Sequence, residues 1–218
     1  MRTAVFKPAV NPSDCHGYEG IRSAVTSNAD FGLLVGHYPY GVHHLYGVTT
    51  PRYFVLLRHP IERAISHYYF IKDANSPTYT HPQSSVVEGH TLASLYGRPE
   101  YQNMQTRFVA GLFWQVAGRH LSLNGRIGQY VLRRAKQNLV ERYEAFGLKE
   151  RFEDTADLFG RRIGTEPEIP DRRIKKRSAR PSAEDLPREK YDRLRETNPL
   201  DVALYEFARD RFEMQKTR

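Results

Sequence analysis

Arg58 and Ser66 stand eight positions apart in the stretch Tyr53-Phe-Val-Leu-Leu-Arg58-His-Pro60-Ile-Glu-Arg63-Ala-Ile-Ser66-His-Tyr-Tyr-Phe70. A guanidinium and a hydroxyl held at that spacing suit a phosphate, which accepts paired, charge-assisted hydrogen bonds from an arginine fork. The flanking residues say how the two would be held. Tyr53 to Leu57 reads as a buried strand, and Arg58 then falls at its carboxyl edge, where open α/β sheets place their ligands. Pro60 fits the first position of a helix, whose amides and dipole favour an anion nearby. The same strand, turn and helix with a capping hydroxyl also occur in α/β proteins that bind nothing there.

The stretch resembles the 3′-phosphate-binding segment of sulfotransferases that use 3′-phosphoadenosine 5′-phosphosulfate (PAPS). Within them it is most similar to the heparan sulfate uronyl 2-O-sulfotransferase branch and its bacterial relatives. That branch carries Arg-Asp-Pro at the strand end and a serine in the helix, so the resemblance gives Arg58 and Ser66 the phosphate-contacting roles. Here the sequence is Arg58-His59-Pro60, which leaves the arginine without its customary neighbouring carboxylate.

Three more segments agree in order. Phe31-Gly-Leu-Leu-Val-Gly36-His37 resembles the family's short strand ending in its catalytic base, and so assigns that role to His37. Asn103-Met-Gln105-Thr-Arg107 resembles a helix common in bacterial members. Tyr130 to Leu148, the acidic helix after it and the basic loop Arg172-Arg-Ile-Lys-Lys-Arg177-Ser178 resemble the family's last third. There the loop closes over the adenosine 3′-phosphate, which adds Arg177 and Ser178 as binding residues. The likeness runs from about residue 30 to 216, nearly the whole chain.

The family's opening strand and its loop of the kind Pro-Lys-Thr-Gly-Gly-Thr-Ser, which holds the 5′-phosphosulfate, find no match. Such a loop needs glycines for close backbone approach and a lysine and hydroxyls for the anion. Lys7 follows a short apolar run, but no Gly-Thr or Gly-Ser pair follows it in the opening segment. The reading is a start that is either truncated or diverged.

The elements that must position these groups are legible from periodicity and breakers. Residues 1–30 are polar and unpatterned, with Pro8, Pro12, Gly17 and Gly20. Residues 31–36 and 53–57 are short apolar runs suited to buried parallel strands. Apolar residues from Ile61 to Ile71 recur at helical spacing up to Asp73. Ala74 to Gly89 reads as a surface loop, Glu100 to Leu112 and Ile127 to Arg142 as helices, and Tyr143 to Leu148 as a third strand. Phe152 to Ile163 is an amphipathic helix, Gly164 to Pro187 is irregular, and helices follow over Arg188 to Thr197 and Leu200 to Gln215. Asn198-Pro199 suits a cap and first turn for the last of these. Strands alternating with helices predict an α/β fold, a parallel sheet flanked by helices. The resemblance makes it P-loop NTPase-like and incomplete at the N-terminus. The domain division is 1–30, irregular, and 31–218, a sulfotransferase-like domain.

A chain of 218 residues suits one well-cored domain. The single cysteine, Cys15, excludes an intramolecular disulfide and a thiolate zinc cluster. The start shows no secretory pattern and no apolar run reaches membrane-span length, which predicts a cytoplasmic, bacterial-type protein, although eukaryotic relatives are Golgi membrane proteins. A formal net charge of +8, concentrated partly in Arg172 to Arg180, predicts an anionic partner.

His37 follows a glycine at a predicted strand end, and an imidazole titrates near operating pH, as a general base should. His43 and His44 are candidates for contacting an acidic acceptor. They lack a carboxylate or cysteine at ligand spacing, and adjacent residues point apart on a strand, so no metal site is expected. Arg107 is either an acceptor-side cation or the structural partner of an acid on a neighbouring helix. Ser66 has no nucleophile elbow around it. Glu62 reads as a helix-start charge.

The reading is a sulfotransferase that moves a sulfuryl group from PAPS, as co-substrate and without a metal, to a hydroxyl of a carbohydrate acceptor. The alternative is a catalytically impaired module of the same fold that binds an anionic glycan or nucleotide. A nucleic-acid-binding protein is supported by charge and tyrosine content alone and is not expected.

Overall fold

Two parallel strands form the sheet of the computed structural model, which describes residues 36–73, 80–167 and 180–216. Strand β1 (Tyr53–Leu57) pairs with β2 (Tyr143–Leu148) in a register running from Tyr53 opposite Tyr143 to Leu57 opposite Leu148. A bulge between Tyr53 and Phe54 absorbs one residue of β2. Both strands occupy the residues their apolar runs predicted. The expected strand at 31–36 falls almost wholly outside the described residues, with Gly36 and His37 in a bend. The division at residue 30 also lies outside them.

The helices are α1 (Pro60–Asp73), α2 (Ser84–Glu88), α3 (Leu92–Tyr96), α4 (Met104–Ala110), α5 (Leu112–Ala117), α6 (Gly125–Glu141), α7 (Phe152–Ile163), α8 (Arg188–Thr197) and α9 (Pro199–Lys216). Short 3-10 turns occupy Val42–Tyr46, Pro99–Tyr101 and Lys149–Arg151. The architecture is α/β, mostly helical, with helices packed on a small parallel sheet. One core lies between the sheet and α4, α6, α7 and α9, with Leu57, Val109, Leu139, Phe146, Leu158, Leu204 and Phe212 buried in it. A second joins α1 to α2, α3 and α8 through Ile61, Ile65, Ile71, Val87, Leu95 and Leu194. Burying such side chains is the main favourable term in folding, worth roughly 1.5–3 kcal/mol each.

Three expectations are corrected. The surface loop after α1 contains the short helix α2, whose Val87 is buried in the second core. The single helix expected over 100–112 is broken twice. Asn103 sits in the left-handed region at φ 50°, and Gly111 has φ 124°, a conformation closed to side-chain-bearing residues. The chain therefore turns before α4 and again between α4 and α5.

The third correction concerns the start of α9. The Asn198 side chain does not cap that helix; its Nδ2 donates back to the Leu194 carbonyl. The cap comes from far away in sequence. Asn103 Oδ1 accepts from the backbone N–H groups of Leu200 at 2.9 Å and Asp201 at 3.3 Å. Asp201 returns the service to α4: its carboxylate accepts from the Gln105 N–H at 3.1 Å, the Thr106 N–H at 2.7 Å and the Thr106 hydroxyl at 2.7 Å. Asn198 Oδ1 accepts from the Asn103 N–H at 2.9 Å. Two helix starts thus satisfy each other's free amides inside the protein.

Strand β2 is fastened to α7 in a similar way. Thr155 Oγ1 accepts from the Leu148 N–H at 3.0 Å and donates to the Leu148 carbonyl at 3.2 Å. A Cβ on Gly147 would collide with the Thr155 side chain, so the approach requires glycine there.

Asp201→Ala leaves two backbone amides and a hydroxyl unpaired in the interior and is expected to cost roughly 3 kcal/mol of stability. Urea denaturation of the variant beside the parent protein measures it; an unchanged midpoint would contradict the cross-capping account.

Candidate functional site

Because β1 and β2 are parallel, their carboxyl ends lie at the same edge of the sheet. Arg58 and His59 follow β1 there and Lys149 and Glu150 follow β2, and together with Glu62, Ala183, Tyr191 and Tyr205 they line a crevice of about 630 Å³. Pro60 begins α1 at this edge. The Glu150 carboxylate ties the rim together, accepting from the His59 N–H at 2.9 Å and from the Tyr205 hydroxyl at 2.8 Å.

Arg58 is fixed through its backbone. Gln105 Oε1 accepts from the Arg58 N–H at 2.9 Å and Gln105 Nε2 donates to the Arg58 carbonyl at 2.9 Å. The side-chain amide therefore extends the sheet's pairing by one residue. The guanidinium remains partly exposed and pairs with Glu62 at 3.1 Å. The other Glu62 oxygen accepts from the Ala183 N–H at 2.6 Å. One turn on, the Ser66 hydroxyl accepts from Arg180 Nη1 at 3.0 Å. Glu62 and Ser66 share one face of α1 at i and i+4, and Arg58, just before the helix, meets that face through its ion pair with Glu62.

Two features of this face were not foreseen. Glu62 pairs with the Arg58 guanidinium; the signal was its i+4 spacing from Arg58. Arg180, at the end of the basic segment, reaches Ser66 across 114 positions, a contact no local pattern announces. Arg177 and Ser178 lie outside the described residues.

His37 belongs to the neighbouring face of α1. Its imidazole pKa is lowered by the protein crowded around the ring and then by the Arg63 guanidinium, although part of the residue is open to solvent. His67 feels the same arginine and His37 as well. Successive helical residues point about 100° apart, so Arg63 and His67 flank the stripe of Glu62 and Ser66. Helix α1 carries Glu62 and the Ser66 hydroxyl on the side that meets Arg58, and the surroundings of His37 on the next. A histidine held neutral near pH 7 is in the form that accepts a proton.

His43 and His44 are elsewhere. They lie on the 3-10 turn Val42–Tyr46, and their rings approach to 3.9 Å. That turn starts at Gly41, with φ 88°, and ends at Gly47, with φ 68°. His43 Nδ1 shares a 2.7 Å hydrogen bond with the Tyr53 hydroxyl, at the opposite end of β1 from Arg58. Five strand residues separate the two ends by about 16 Å.

Arg107 is buried with no exposed surface. Its Nη1 donates to the carbonyls of Pro99, Glu100 and Gln102 at 3.1–3.3 Å, and its Nη2 to the Gln115 carbonyl at 3.0 Å. The guanidinium is used to hold the turn before α4 against α5. Of its two readings the geometry matches the structural one, with backbone carbonyls in place of an acid.

No protein-family model matches the chain. It is similar to a heparan sulfate 2-O-sulfotransferase, hst-2, of Caenorhabditis elegans, with 26% identity over 130 residues. The alignment covers 56% of this chain, and the chain spans 38% of that relative's length. The likeness is to a sulfotransferase, and it is distant. Among the described residues no helix is long and apolar enough to cross a membrane.

The histidine cluster has a pH signature. Burial, then Arg63, lowers the His67 imidazole from 6.5 to about 3, and its Nδ1 lies 3.1 Å from the Tyr96 hydroxyl. The unfolded chain takes up this proton near pH 6.5, while the folded protein refuses it until far lower. The stability from keeping the ring neutral is therefore complete above pH 6.5 and is lost as pH falls from 6.5 toward 3. One such proton contributes a slope of up to about 1.4 kcal/mol per pH unit. Denaturation midpoints at pH 7.5 and 5 are expected to diverge less in His67→Gln than in the parent; an equal divergence would remove His67 as the source.

Proposed function

We propose that this chain is a sulfotransferase module that binds the 3′-phosphate of PAPS at the crevice beyond β1 and β2. The observation that carries the reading is the strand-turn-helix unit, with Arg58 held by Gln105 at the end of β1 and Ser66 on α1 beside Arg180. The distant likeness to a heparan sulfate 2-O-sulfotransferase supports it independently.

The residues fit the group. A phosphate dianion accepts from guanidinium and hydroxyl donors, and Arg58, Ser66 and Arg180 offer three from two chain segments, with Arg177 and Ser178 further candidates in the basic segment. Glu62 is the natural rival for Arg58 and is displaced or shared when the anion arrives. PAPS supplies the sulfuryl group. His37 takes the proton from the acceptor hydroxyl as that oxygen forms its bond to sulfur, and the bond from sulfur to the 5′-phosphate breaks with its electron pair leaving on adenosine 3′,5′-bisphosphate. A carbohydrate is the proposed acceptor. His43 and His44, at the far end of β1, are proposed to meet a more distant part of it; Arg107 is left to its structural role.

A second reading is a binding module without turnover. It is favoured by the segment around Lys7, which has no glycine and hydroxyl pair for a 5′-phosphosulfate.

Calorimetry with adenosine 3′,5′-bisphosphate tests the site, and adenosine 5′-phosphate, lacking the 3′-phosphate, should bind more weakly. Arg58→Gln removes a charge-assisted contact and is expected to weaken the bisphosphate roughly tenfold to a hundredfold. Parent protein that binds neither nucleotide would reject both readings at this site. His37→Ala should leave bisphosphate binding intact and lower sulfuryl transfer to a polysaccharide by roughly 10²- to 10⁴-fold. Binding without measurable transfer by the parent protein would select the second reading.

A further inference from the structure

Between Glu100 and Glu141 the sequence holds no aspartate or glutamate, although the stretch spans α4, α5 and almost all of α6. Its permanent cations divide by use. Arg107 is buried and Lys136 lies 5.1 Å over the Phe207 ring, while Arg119, Arg126, Arg133 and Arg134 are exposed. Among the described residues none of these four forms an ion pair.

The same surface is apolar. Helix α6 turns Val131, Ala135 and Leu139 into the main core and leaves Ile127 and Tyr130 outside, one turn apart. The Tyr130 ring lies 5.8 Å from that of Trp114 on α5, and Trp114 meets Phe113 edge-on at 5.0 Å. Phe113 is 66% exposed and Val116, at i+3 on the same helix, 54%. Arg126, Arg133 and Arg134 stand at i−4, i+3 and i+4 from Tyr130, so cations frame the rings. An apolar patch rimmed by charge marks a surface that meets something other than water.

Two side chains say what that is. Val116 and Ile127 are aliphatic, so a dissolved polyanion offers them nothing, whereas transfer into an acyl phase is favourable in proportion to the area removed from water. Rings with a polar edge, such as Trp114 and Tyr130, sit at the boundary between acyl chains and headgroups. Arginines beside them meet anionic headgroups, which would repel acids, so an acid-free stretch is the charge complement of such a surface.

We propose that the outer face of α5 and the first half of α6 seats this protein on an anionic lipid surface. Phe113, Val116 and Ile127 enter the acyl boundary, and Arg126, Arg133 and Arg134 meet the headgroups. This face shares no residue with the nucleotide crevice, and the proposal does not depend on what the crevice binds.

Trp114 is the chain's single tryptophan and reports on the contact directly. The full chain is sedimented with vesicles of phosphatidylcholine alone and of phosphatidylcholine and phosphatidylglycerol in equal parts. Binding to the anionic vesicles should be the tighter and should weaken as salt rises. Trp114 emission should move to shorter wavelength and be quenched by lipids brominated on their acyl chains. The exposed substitutions Val116→Ser/Ile127→Ser are expected to weaken vesicle binding about tenfold through lost apolar burial, and Arg126→Gln/Arg133→Gln/Arg134→Gln about tenfold or more through lost headgroup attraction. No association of the parent with anionic vesicles would overturn the proposal, as would association without quenching of Trp114. Parental affinity in the Val116 and Ile127 variant would reduce the contact to charge alone and overturn it too. So would a dimer in sedimentation that shields Trp114 and excludes vesicles.

Discussion

The exchange of caps between the starts of α4 and α9 is the constraint on which the rest of the structure depends. Asn103 serves the amides of α9 and Asp201 those of α4, across more than 90 positions of sequence. Both sets of groups are buried, where an unpaired amide is costly and a satisfied one fixes direction. Burial raises the Asp201 pKa, while Arg63 and the donors from Thr106 and Gln105 pull the other way. The junction also sets the site. Gln105 is the first residue past Met104 in α4, and its side chain grips both backbone groups of Arg58. The position of the guanidinium at the sheet edge is thus inherited from the packing of two helices it does not belong to.

Local patterning disclosed the elements and much less of their mutual arrangement. Tyr53 to Leu57, Tyr143 to Leu148 and Phe152 to Ile163 read correctly because a run of apolar residues, or a single amphipathic period, settles each of them without help. The segment around Asn103 did not, because its helix is interrupted by a left-handed asparagine that pays for itself only through α9. Likewise Asn198 looks like the cap of the helix after it, but its side chain turns back to Leu194 and across to Asn103.

The candidate site divides along the same line. Arg58 and Ser66 were legible because both lie on one strand-turn-helix unit, where local spacing governs placement. Glu62 was visible at i+4 and was assigned a lesser role. Arg180 was beyond reach, since a loop of charges carries no register against a helix elsewhere in the chain. Arg107 was ambiguous for another reason: a sequence does not distinguish an arginine that faces an acceptor from one that gathers four carbonyls in the interior.

Glu62 makes Arg58 a partner already spoken for. Because one of its oxygens holds the guanidinium and the other holds the Ala183 backbone, an anion arriving at Arg58 competes with an internal surrogate and disturbs the moorings of the segment that starts at Arg180. Occupancy of the crevice and placement of that segment are consequently coupled quantities. Under the proposed anion binding, a weak anion that fails to displace the glutamate would leave the segment where it is, and the resting ion pair would then act as a threshold.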